Sequence, residues 1–173
     1  MIERFGFNLT QIAGILAFVI ASLACLIASG ARRKSRDLSI WRGLSIVYGL
    51  LAIEMIAAMR HRIHDFVNAL LKITGEYSAR SGLQEMLIAA LAIVILTAMG
   101  LYLMRLGKIK ASTRLAASAT MTLVGLFLLE MISLHAIDAI LYRPIGPLMV
   151  ITYLWIAAST VTVITAWRYR KGR

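Results

Sequence analysis

Seven side chains carry the chemistry this sequence can offer. Glu54, His61, His64 and Asp65 fall in one stretch, and Glu130, His135 and Asp138 in another. Imidazole and carboxylate donors suit iron, zinc, manganese or copper. On a helix, Glu54, His61 and Asp65 are spaced by seven and four residues. That spacing puts them on one face, within about 40° of each other. His64 lies off that face. His135 and Asp138 are three residues apart, and Glu130 meets them only if the helix bends or ends nearby. Together, Glu54, His61, Asp65, Glu130, His135 and Asp138 would make the imidazole and carboxylate donor set of di-iron and di-manganese bundles. Those bundles use Glu-x-x-His pairs, and neither stretch has one.

Two further readings stand beside a transition-metal site. A haem would take His135 and either His61 or His64 as ligands, with Arg60 or Arg62 for its propionates. Without a cofactor, Glu54 and Glu130 would pair with Arg60, Arg62, Arg143 or a histidine. They would then serve a proton or cation pathway, or only hold the structure together. No phosphate loop, GxSxG elbow or HExxH motif is present, so hydrolases built on those motifs are excluded. Cys25 is the single cysteine and sits in an apolar run, so it has no partner within the chain for a disulfide or a CxxC site.

The elements that must position these residues belong in a membrane. The chain has 173 residues, 60% of them hydrophobic and 16% charged, and a mean hydropathy of +0.81. A soluble domain is nearer half apolar and about a quarter charged. The composition excludes a soluble enzyme, a disordered chain and a disulfide scaffold. Five runs approach the roughly 20 apolar residues that a bilayer core requires. They predict helices over about 5–31, 41–71, 82–104, 114–141 and 146–168 of a single domain spanning 1–173. Backbone polar groups in lipid must be satisfied within each segment, so the fold class is an all-α, five-transmembrane-helix bundle.

Charge orients the bundle. Thirteen of the 19 basic residues lie after the first, third and fifth runs, with Asp37 as their only acid. The other side holds Arg4, Arg60, Arg62, Lys72, Arg80 and Arg143 with seven acids. The positive-inside rule then places the N-terminus outside and the C-terminus in the cytoplasm. The net charge of +11 is thereby explained by topology, without a nucleic-acid partner. The basic cluster directly after the first run speaks against a cleaved signal peptide.

Two patterns refine the arrangement. Ala13, Ala17, Ala21, Cys25 and Ser29 recur every four residues, a small-residue stripe suited to close helix packing, within the bundle or between two copies. Gly49–Ile56 and Gly125–Ile132 are identical at five of eight positions, which points to a parallel two-helix repeat placing Glu54 and Glu130 at one depth. Phe66, Val67, Leu70 and Leu71 have helical spacing. Ser81 with Gln84 has capping-box spacing for the third helix. Pro144 and Pro147 would end one helix and start the next.

The expected protein is a small polytopic protein of a bacterial-type inner membrane. Its Glu/His/Asp site near the outer leaflet would bind iron, copper, manganese, zinc or haem for redox chemistry or metal handling. The alternatives are a proton or cation pathway or transporter, and a non-catalytic helper in a homo-oligomer or larger membrane complex.

Overall fold

The computed structural model describes residues 8–30, 36–57, 109–132 and 135–172, together with Met86, Ala90, Ile93, Val94 and Thr97. For residues 36, 131, 132 and 135–137 it describes the backbone alone. The described chain runs α1 (Leu9–Ser29), α2 (Arg36–Ala57), α3 (Ala111–Ile132), α4 (His135–Leu141), β1 (Pro144–Ile145), β2 (Leu148–Met149) and α5 (Val150–Lys171). Four of these helices, α1, α2, α3 and α5, are long and apolar enough to cross a membrane.

Local chemistry sets the helix ends. At α1, the Asn8 side chain accepts from the Gln11 N–H at 2.8 Å, and the Asn8 N–H donates to Gln11 Oε1 at 3.0 Å. This reciprocal box satisfies two orphan donors, so the helix begins at Leu9 rather than near residue 5. The fourth predicted span, 114–141, is divided: α3 ends at Ile132 and a separate α4 begins at His135. The fifth starts at Val150 rather than 146, because Pro144–Ile145 pairs antiparallel with Leu148–Met149. Gly146, at the first loop position of that hairpin, has φ 64°. Pro147 cannot take a positive φ, so the two-residue loop fits a type II′ turn, whose first position calls for glycine. The Val150 N–H then donates to the Arg143 carbonyl at 3.1 Å, closing the loop onto the start of α5.

α1 packs along α2 and α5, and α5 along α3; α2 and α3 touch more lightly. A reciprocal clasp ties α1 to α2. Ser22 Oγ donates to the Ser45 carbonyl at 2.8 Å, and Ser45 Oγ to the Ser22 carbonyl at 2.9 Å. Such polar links act as glue between helices in lipid, where the hydrophobic effect gives none. Along the small-residue stripe, Ala21, Cys25 and Ser29 are buried. Ala13 and Ala17 instead line a shallow apolar groove of about 330 Å³ between α1 and α5.

The core is aromatic. Phe18 lies 5.7 Å from Phe127 and 5.9 Å from Trp155, and Phe127 stacks on Trp155 at 5.7 Å, centroid to centroid. Gly14 is the close approach that admits Trp155: a Cβ there would lie 2.9 Å from the indole. Outward faces are apolar and exposed, as at Leu16, Ile20, Leu23, Ile27, Leu50 and Ile53, which suits contact with lipid tails. Met86, Ala90, Ile93, Val94 and Thr97 are helical and exposed, and their spacing marks one outward stripe of the third predicted span.

Two ends of the bundle are distinct. Trp41 near the start of α2 packs on Tyr169 near the end of α5, ring centroids 5.4 Å apart. Lys110, just before α3, lies 5.1 Å from the same Tyr169 ring. α2 and α3 therefore start at one end, with Arg42, Arg114, Arg168, Arg170 and Lys171 exposed there. They finish at the other end, with the hairpin.

Candidate functional site

Three carboxylates among the described residues gather at the hairpin end: Glu54, Glu130 and Asp138. Glu54 lies three residues before the last described residue of α2, and Glu130 two residues before the last described residue of α3. Asp138 falls in the first turn of α4, where the helix dipole favours an anion.

Their surroundings differ. Glu130 is only 6% exposed. Its Oε1 accepts a hydrogen bond from the Tyr142 hydroxyl at 3.0 Å. Tyr142 stands directly after α4. The Tyr142 N–H donates to the Asp138 carbonyl at 2.9 Å, extending α4 by one bond. A carboxylate so enclosed is costly unless it is hydrogen-bonded, paired or protonated. Glu54 and Asp138 are half-buried.

Of the residues singled out from the sequence, Glu130 accepts from the Tyr142 phenol, while the Asp138 carbonyl accepts only the backbone N–H of Tyr142. Glu54 lies at the same end of a parallel helix. His135 opens α4, with only its backbone described. His61, His64 and Asp65 lie outside the described residues, as do Arg60, Arg62, the Phe66–Leu71 stretch and the Ser81/Gln84 cap. Among the described residues no three His, Cys, Asp or Glu side chains form a group able to hold a metal.

The structure adds residues that sequence reasoning missed. Tyr142 is a direct partner of Glu130. It stands 12 residues from Glu130, beyond any helical repeat that would have linked them. The inner face of α5 carries buried hydroxyls at Thr152, Ser159, Thr162 and Thr165. Tyr48 from α2 meets Thr162 there, Oη to Oγ1 at 2.8 Å. The signal was legible: hydroxyl residues at spacings of seven, three and three within an uncharged run.

No family model, curated protein or solved structure matches the chain.

Proposed function

We propose that this chain is a small polytopic membrane protein whose working site is the acidic end of the bundle. There Glu130, with Glu54, Asp138 and the histidines His61 and His135, binds a transition-metal ion for redox chemistry or metal handling. The observation that carries this reading is the enclosure of Glu130: a carboxylate 6% exposed near the end of an apolar helix, held by the Tyr142 phenol. Ionisable groups at such depth are rare and mark function by default. The donor chemistry fits a borderline or hard divalent ion, since carboxylate, phenol and imidazole are all suitable ligands.

The same proposal fixes an orientation. Basic side chains crowd the end where α2 and α3 start, and carboxylates the other. The positive-inside rule makes the first end cytoplasmic, with five spans, the N-terminus outside and a bacterial-type plasma membrane as the setting. The position of Glu54 and Glu130 toward the same end of two parallel helices supports the two-helix repeat. A reporter fused after Arg173 is expected in the cytoplasm, and one inserted at Ser78 outside. The opposite pair of results defeats the orientation.

Purified protein tests the site. Metal analysis and an absorbance spectrum are recorded on the same sample. Stoichiometric iron, copper, manganese or zinc without a Soret band is the expected result. A Soret band assigns His61, His64 and His135 to haem instead. Neither metal nor haem defeats the cofactor reading.

A further inference from the structure

Buried polar atoms that make no hydrogen bond are rare in native interiors and call for water or a ligand. Thr152 Oγ1 and Ser159 Oγ are two such atoms, on residues 0% and 3% exposed. With Thr162 they fall within an arc of roughly 80° on the inner face of α5, by helical spacing. Around Ser159 a polar centre is assembled from three helices. Tyr48 Oη contacts Thr162 Oγ1 at 2.8 Å and donates to the Ala158 carbonyl at 3.4 Å. The hydroxyls of Thr120, which donates to the Ala116 carbonyl at 2.9 Å, and of Ser159, which makes no hydrogen bond, stand near the same phenol.

The second polar level lies nearer the hairpin end. Thr152 is one turn from Trp155 along α5, and Glu130 one turn from Phe127 along α3, both toward that end. Between the two levels lie the packed rings of Phe18, Phe127 and Trp155. The order through the bundle is therefore carboxylate and hydroxyl, aromatic plug, then hydroxyl cluster. A packed apolar constriction between polar levels gates by excluding water.

We propose that the bundle interior is a gated proton route, with Glu130 as the proton-loading group and the Phe18–Phe127–Trp155 plug as its closed gate. It shares Glu130 with the metal reading but needs no metal. A proton from water forms an O–H bond on the Glu130 carboxylate. When the rings part and water enters, that bond breaks to a water molecule. Each oxygen along the file, including Ser159, Tyr48 and Thr162, accepts one proton on a lone pair and releases its own on the far side. One proton enters, one leaves, and no other bond changes. The transmembrane proton gradient supplies the direction. Ser159 and Thr162 are about 4.5 Å of helix rise apart, a span that one bridging water covers, whereas Thr152 and Ser159 are about 10.5 Å apart, the gap that entering water must fill when the rings part.

The test uses the full chain in liposomes containing trapped pyranine, with a potassium gradient and valinomycin setting the potential. Phe127→Ala is expected to acidify the vesicles about tenfold faster than the wild type. Adding Tyr48→Phe or Ser159→Ala should remove most of that gain, since each deletes a hydroxyl through which the proton file passes. The gain should survive chelator treatment that strips any bound metal, which separates this route from the metal reading. If Phe127→Ala does not insert, Phe127→Val replaces it. Flux no faster than the wild type in correctly inserted variants overturns the proposal. So does a leak that Tyr48→Phe and Ser159→Ala leave unchanged.

Discussion

Glu54 and Glu130 hold the same place in two near-copies of one eight-residue segment, yet their environments differ. Both lie toward the hairpin end of parallel helices, and both follow a Gly-Leu start and precede Met-Ile. Glu54 is half-buried, whereas Glu130 is 6% exposed and bound by Tyr142. The shared segment sets depth. The connection after α3, with α4 and the tight hairpin, decides enclosure.

The comparison breaks most visibly at the glutamates. Glu130→Ala removes a buried acceptor and its bond from the Tyr142 hydroxyl, and opens space. It is expected to destabilise the detergent-solubilised protein by about 2–4 kcal/mol, read as a lowered melting temperature. Glu54→Ala should cost clearly less. Equal losses would mean that enclosure does not distinguish the two.

Tyr142→Phe sharpens the comparison, because it reports the charge on Glu130. Deleting a hydrogen bond to an ionised carboxylate costs about 1.5–3 kcal/mol, and one to a protonated acid about 0.5–1.5 kcal/mol. The first range indicates a carboxylate ready for a cation, the second one already carrying a proton.

Smaller effects belong to the hairpin that brings Tyr142 home. Gly146→Ala forces a side chain into positive φ and should cost about 1 kcal/mol. Tyr153→Phe deletes the hydroxyl that donates to the Ile145 carbonyl at 2.8 Å at an exposed position. Its expected cost is below about 1 kcal/mol. A matching change at Glu54 is not expected from either variant, and a melting series on double variants with Glu54→Ala checks that the effects add.

How far the sequence anticipates this structure varies by element. Apolar length identifies the membrane helices, because lipid leaves the backbone no other way to satisfy itself. Helix ends were less legible. Pro144 and Pro147 mark the break before the last helix, but the hairpin they belong to puts its start at Val150 rather than 146, and the Asn8–Gln11 box starts α1 at Leu9. At the site, the depth of Glu130 was readable from its place in an apolar run. Its partner was not, since Tyr142 arrives by a chain reversal with no period of its own. The hydroxyl face of α5 was overlooked because Thr and Ser count as tolerable in an apolar run, while the packing of α1 and α3 on α5 makes that face interior.

The most direct measurement is metal stoichiometry in three proteins purified side by side: wild type, Glu130→Gln and Glu54→Gln. Both substitutions keep side-chain size and remove charge. If Glu130 is the centre of the site, the wild type carries about one ion per chain, the stoichiometry of a single site built from one ligand set. Glu130→Gln then carries essentially none, while Glu54→Gln retains a substantial share. Equal metal content in all three proteins, or none in the wild type, contradicts the account.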